Sequence, residues 1–296
     1  MSVRARLGAG CAALAIAIVA IPCGVASASG GSFVLTARKT GSTYAPTFTG
    51  NGLLGVRVPP SGQGYAGGTV PAQSELAGFY AKPSKGKKSQ LVQQRASIPT
   101  WSTLGFSDGG ATFSTKAGKT SDWRQSIDLH TGVISTSARW KAPDGHVTNL
   151  SYQVFTDRAR EHVGVVQLVI VPQWTGTATV SDLIDGTAEN EPTKSQPVLT
   201  AQVAKGWNLA SRHQQVTVQA LGTGIAATEA DVLTTGPNIS APSTESDQTV
   251  NQSVGQQVSF PVTAGQTYTL TKFVGVDDSQ DTSNTVSAAQ IEASGA

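Results

Sequence analysis

Residues 163–171 read Val-Gly-Val-Val-Gln-Leu-Val-Ile-Val, apolar at odd and even positions alike, and this run constrains the fold more than any other stretch. Successive side chains of a strand point to opposite faces, so a strand apolar on both faces belongs in the middle of a sheet that another sheet covers. The surrounding sequence agrees. From Phe33 onward, short runs enriched in β-branched and aromatic residues alternate with turn residues, and almost no stretch carries apolar residues at helical spacing. Arg139-Trp140-Lys141 leads into Ala142-Pro143-Asp144-Gly145, a strong turn signal, after which Leu150, Tyr152 and Val154 fall on one face of a strand over 147–155. Strands over 123–129 and 133–140, joined by His130-Thr131-Gly132, complete a meander. Others are expected at 177–184, 198–203, 215–221, 257–262 and 268–276, with the Ser- and Thr-rich stretch 233–253 as an exposed excursion. Charged residues make up only 14% of the 296, against 32 glycines and 14 prolines, so turns outnumber long solvated helices. The expectation is an all-β chain, a large antiparallel β-sandwich over 29–280 with a short helical C-terminal tail.

The two ends read differently. Arg4 and Arg6 precede an apolar run over 11–22, and Ala26-Ser27-Ala28 supplies small residues for cleavage, the pattern of a secretory signal peptide over 1–28. Pro22 and Gly24 interrupt the segment, whereas a membrane anchor needs about 20 apolar residues. A secreted, extracellular protein with no membrane attachment after cleavage is therefore expected. Cleavage removes Cys11 and Cys23, the two cysteines of the chain, so the exported protein must be held by its core and not by disulfides. It also removes two of 21 basic residues and none of 19 acidic ones, leaving 19 against 19. That balance excludes a nucleic-acid partner, which a basic face would announce. The basic run over 82–88 reads as a solvated loop. At the other end, residues 281–296 offer N-cap chemistry and then Val286, Ala289, Gln290 and Ala293 at helix-compatible positions. This segment is expected to be a truncated linker helix or disordered tail that packs poorly and leaves Val286 and Ile291 exposed.

Several constellations bear on chemistry. Gly105-Phe106-Ser107-Asp108-Gly109 matches the spacing of a nucleophile elbow, but that motif needs a helix after the serine, and a Gly-rich, β-like run follows. It reads as a loop. His130, His146, His162 and His213 lack the pairwise spacing of a zinc site, so no metal or cofactor is expected, and His146 reads as a surface residue beside its turn. Glycoside hydrolysis needs two carboxyl groups at a set distance, and Asp182 and Asp185 are the tempting pair. Three apart on a strand, they point to opposite faces, and Asp185-Gly186 also suits an ordinary turn. Of the five tryptophans most should fill the core, while Trp101, after Ile98-Pro99 and opening a Gly-rich loop, is expected to offer an exposed ring for stacking on sugar.

Taken together the motifs assemble into a resemblance. Asn51-Gly52-Leu53-Leu54-Gly55-Val56-Arg57, Ala96-Ser97-Ile98-Pro99-Thr100-Trp101, and Trp123-Arg124-Gln125-Ser126-Ile127-Asp128-Leu129 with Gly132-Val133-Ile134 resemble the N-terminal domain of glycoside hydrolase family 65. Phe155-Thr156-Asp157-Arg158, residues 172–179, Asp182-Leu183-Ile184-Asp185-Gly186 with Asn190, and Lys272-Phe273-Val274-Gly275-Val276 look like later strands of the same domain. Where the family commonly continues Arg-Gly, this chain has Arg57-Val58-Pro59. The resemblance implies a large sandwich that precedes a helical linker and an (α/α)6 barrel, with the catalytic glutamate in the barrel. No catalytic residue carries over. It therefore implies the non-catalytic sandwich of a trehalase-like, α-glucoside-acting protein that lacks its catalytic barrel, export favouring hydrolysis over phosphorolysis. The alternative is a free-standing carbohydrate-binding or cell-surface module. In either case a sugar contact or a docking surface for the barrel is expected around Asn51, Arg57 and Trp101. Gly52 and Gly55 allow close backbone approach there, and Arg57 offers a planar donor fork.

Overall fold

The computed structural model describes residues 33–41, 44–65, 74–83, 92–186, 199–208, 213–247 and 253–296. The expected signal peptide, Asn190, most of the basic run over 82–88 and residues 248–252 of the expected excursion lie outside these. With strands numbered in chain order, a nine-stranded sheet runs β1 (Val34–Ala37), β7 (Lys119–Asp128), β8 (Ile134–Lys141), β9 (Val147–Thr156), β10 (Val163–Pro172), β17 (Tyr268–Asp278), β14 (Ala226–Thr235), β13 (His213–Ala220), β12 (Thr200–Asn208). Two four-stranded sheets complete the sandwich. One is ordered β2 (Thr47–Gly50), β3 (Leu54–Val58), β4 (Ser74–Ala81), β5 (Gln94–Ile98), the other β15 (Ser243–Asp247), β16 (Ser253–Val262), β11 (Gly176–Asp185), β6 (Thr100–Ser107). All these pairings are antiparallel.

The meander β7-β8-β9-β10 forms as the turn chemistry predicts. Gly145, at φ 100°, closes the β8–β9 hairpin by donating its N–H to Ala142, a backbone region open to glycine and costly for other residues. Strand β10 lies at the centre of the large sheet, between β9 and β17. Its Val166, Leu168 and Ile170 are fully buried toward the smaller sheets, whereas Val169 and Val171 on the other face are only partly covered. Val163 and Val165, also on that face, are buried, so the second apolar face is covered along the first half of the strand only.

Two expectations are corrected. The stretch 233–253 is not simply an excursion: it begins with the end of β14, where Leu233 is buried, and contains the edge strand β15. Residues 105–107, expected as a loop, belong to β6, which pairs with β11 from Ser107 to Thr100.

Helix α1 (Thr285–Gly295) corrects the expectation of a poorly packed tail. Asn284 caps it, its Oδ1 accepting from Ser287 N–H at 3.2 Å. Ala289 and Ala293 are buried against β17 and β14, on the face of the large sheet opposite Lys272 and Val274. Contact is possible because Gly275 lies underneath, where an added Cβ would stand 2.1 Å from the Ala289 carbonyl oxygen. Thr285 Oγ1 meets Thr228 Oγ1 at 2.7 Å, and Arg160 reaches the Gly295 carbonyl at 2.9 Å. Small residues on both surfaces dock this helix closely, while Ile291, 67% exposed, is left on the outside and Val286 is half-buried.

Candidate functional site

The outer face of the β2–β5 sheet carries an open groove of about 450 Å³. It is lined by Phe48, the β2–β3 turn around Gly50 and Gly52, and Glu75, Tyr80 and Arg95 from β4 and β5. Phe48 and Tyr80 are 42% and 40% exposed, unusual for large rings in a folded sheet. The Phe48 ring lies on the bare backbone of Gly55, where a Cβ would come within 2.4 Å of it. Arg57 stands over the ring at 6.0 Å to the centroid, and Arg95 pairs with Glu75 at 3.0 Å. Aromatic faces beside a carboxylate and a guanidinium suit a sugar, rings stacking on its C–H faces and charged groups binding hydroxyls. Acid–base hydrolysis needs two carboxyls, and among the groove-lining residues Glu75 alone carries one.

The predicted residues divide. Asn51 borders the groove, but its side chain is fully used. Oδ1 accepts from the Leu53 and Leu54 N–H groups, and Nδ2 donates to the Asp157 and Glu161 carbonyls at 2.6 and 2.9 Å. It fixes the turn and ties it to the β9–β10 loop. Arg57 donates to the Pro46 carbonyl at 3.1 Å and supports Phe48. Trp101 lies elsewhere. It is a core residue of β6, 0% exposed, its ring so close to β10 that a Cβ on Gly164 would stand 2.7 Å from it. The expectation of an exposed ring at Trp101 is corrected, because the segment after Pro99 continues as a strand and turns the indole inward. Phe48, Tyr80, Glu75 and Arg95 escaped the sequence reading, since the bulge at Gly78 and the pairing of β3, β4 and β5 bring them together.

Asp182 and Asp185 are both buried. Asp182 lies on the inner face of β11, where its Oδ1 meets the ammonium of Lys272 at 2.7 Å and its Oδ2 accepts from Gln256 Nε2 at 2.9 Å. Lys272 also reaches Asp231 at 3.0 Å and the Leu183 carbonyl at 2.9 Å, and Gln214 donates to Asp231 at 2.9 Å. Burial, reinforced by the neighbouring Asp182 charge, pushes the Asp231 carboxyl up to about 8 against the pull of Lys272. Burial would depress the Lys272 ammonium, but the two carboxyls outweigh it and hold the group above its ordinary value. The ammonium thus sits between two buried carboxyls and opposes the burial that raises Asp231. Asp185 accepts instead from Ser253 Oγ at 2.8 Å. These carboxyls join strands within and between sheets, and a sheet interior, not the turn expected at Asp185-Gly186, holds them.

The motifs of the resemblance thus fall on places where sheets are joined. Gln125 is a further case. Its Oε1 accepts from Tyr44 and Thr47, and its Nε2 donates to the Pro59 carbonyl and to Thr136, linking β7 and β8 to the β2–β3 hairpin. Residues 35–296 match the glycosyl hydrolase family 65 N-terminal domain. The chain belongs to that family. Within the family 65 N-terminal domain, it is 26% identical over 253 residues to uncharacterized glycosyl hydrolases from two strains of Mycobacterium tuberculosis. The match covers 81% of this chain and 18% of theirs. A solved kojibiose phosphorylase from the human microbiome shares the fold at a TM-score of 0.65 and 12% identity, over 84% of this chain and 32% of that one. The family 65 sandwich thus spans about a fifth of the curated relatives and a third of the solved one. Its place in carbohydrate metabolism follows from the family.

Proposed function

We propose that this chain is a secreted, non-catalytic sandwich unit of a trehalase-like, α-glucoside-acting protein, serving a catalytic (α/α)6 barrel through the groove of the β2–β5 sheet. One observation carries the reading: the groove offers aromatic and charged contacts but a single lining carboxyl, Glu75, already paired with Arg95. The two other acids that could have formed a catalytic pair, Asp182 and Asp185, are held in the sheet interior. Asn51 and Arg57 act here by holding the turn and the Phe48 ring in place, and Trp101 by filling the core behind β10. Among the described residues no helix is long and apolar enough to cross a membrane.

A second reading, a free-standing carbohydrate-binding module, is favoured by the exposure of Phe48 and Tyr80. The test uses the mature chain with trehalose, maltose and kojibiose, followed by product analysis and by calorimetric titration. Under the proposal no hydrolysis or phosphorolysis occurs, and sugar binding is absent or millimolar. Turnover that disappears in Glu75→Gln would show the groove to be an active site. Tight sugar binding lost in Tyr80→Ala would replace the supporting role with the binding-module reading.

A further inference from the structure

We propose that Asp108, Asp144 and His146 form a binding site for a first-row divalent transition cation. Two sequence motifs without a role in the groove converge here: the Asp108-Gly109-Gly110 segment after β6, and the Asp144-Gly145-His146 turn of the β8–β9 hairpin. His146 Nδ1 lies 3.5 Å from Asp108 Oδ2 and 3.3 Å from Asp144 Oδ2, and the three ligand atoms are all within 4.8 Å of one another. Metal bonds of about 2.0–2.2 Å to nitrogen and oxygen place neighbouring ligands roughly 3–3.5 Å apart, so small rotations close the set around one ion.

The second observation is the state of Asp108. Its side chain is 0% exposed, yet Oδ2 has no hydrogen-bond partner and faces the imidazole. The other oxygen is satisfied by the N–H groups of Gly110 and Ala111 at 3.1 and 2.8 Å, which pins the carboxyl with Oδ2 toward the cluster. A buried carboxylate oxygen without a donor is costly, and a cation removes that cost. The other ligands are equally prearranged. Asp144 Oδ1 accepts from the His146 N–H at 3.0 Å, leaving Oδ2 for the ion. The imidazole stacks on Trp174 at 4.6 Å and 11°, and the indole is itself held by a 2.9 Å bond to Thr148. His146 and Asp144 side chains are 41% and 35% exposed, which opens the site to ions and leaves coordination positions for water. An imidazole with two carboxylates suits zinc or manganese better than calcium or magnesium, which prefer all-oxygen sets. The sequence missed the site because its spacing rules seek ligands close together along the chain, and here a tertiary contact joins Asp108 to a hairpin more than thirty positions away. His146 lies at the surface, as expected, with its ring Nδ1 turned to the two carboxyls.

The test uses the mature, untagged chain freed of metal by a chelator. Zinc, manganese and calcium chlorides are titrated separately by calorimetry at pH 7.5, and cobalt binding is followed by its visible absorption. The expected result is one zinc ion per chain and a cobalt band diagnostic of nitrogen and oxygen ligands. Affinity should fall at least about tenfold in Asp108→Asn and in His146→Gln, as loss of a ligand costs no less than loss of its support. Two results overturn the proposal: no saturable binding at millimolar zinc, or binding that both variants retain, which would mean an adventitious ion only. If instead Asp108→Asn lowers parent stability in metal-free buffer without changing ion affinity, the proposal is overturned and the cluster only joins the two loops. All these readouts are independent of sugar binding by the groove.

Discussion

Replacing Lys272 by Met tests whether the buried trio holds the two main sheets together. Methionine keeps most of the side-chain volume and removes the ammonium, so the packing of β17 changes little. Asp182 loses its 2.7 Å partner and keeps Gln256 Nε2 at 2.9 Å as its donor. Asp231, whose carboxyl burial has pushed up to about 8, loses its 3.0 Å contact with the ammonium as well, so two buried acids are left without their cation. Removing one partner of a buried pair costs about 3–5 kcal/mol. With a urea slope of about 3 kcal/mol per molar for a domain of this size, the unfolding midpoint should fall by roughly 1–1.7 M. Tryptophan fluorescence of the mature chain in urea at pH 7 reads this directly. Adding Asp182→Asn to Lys272→Met should restore most of the loss, since a neutral replacement for a buried ion pair is often tolerated. A midpoint shift below about 0.3 M in the single variant, or no recovery in the double, would refute the assignment of the trio as a charge-paired link between sheets.

Stability should fall as pH rises from 5 to 9. Burial lifts Asp231 to about 8 and, with the nearby Glu292, Asp281 and Asp278 charges, lifts Asp277 to about 6. Both folded values lie above the unfolded 3.8, so the stabilisation is complete below that value and is lost as pH passes the folded one. His162 acts in the same direction: burial opposes its charge, but the Val276 carbonyl and Asp277 raise it above 6.5. Urea midpoints of Asp231→Asn should show a flatter pH profile than the parent, and an unchanged slope would sink this linkage. Gln125→Leu strands the hydroxyls of Tyr44 and Thr47 and the Pro59 carbonyl, and should cost about 1–3 kcal/mol by the same urea assay. Gly275→Val should expel α1, because even a Cβ at this position meets the Ala289 carbonyl at 2.1 Å. Hydrogen exchange over 285–295 should then rise to the level of a free peptide, while β10 stays protected.

The local patterns along the chain were enough for the sheet class, the β7–β10 meander, the Asp144-Gly145 hairpin and the family, since period-two alternation and turn residues act over a few positions. They also identified the C-terminal helix, though not its docking, which depends on Gly275 lying opposite Ala289. Nothing local to Lys272 names Asp182, 90 positions earlier, as its buried partner. Trp101 shows the same limit from the other side. A ring beside Pro99 and a glycine-rich segment resembles an exposed loop until β6 pairs with β11 and the indole settles on Gly164. The groove and the Asp108–Asp144–His146 cluster exist only after distant strands are brought side by side. Whether an aromatic or carboxyl group is buried, paired or presented depends on what covers it, and in an antiparallel sandwich the covering residues come from the far side of the fold.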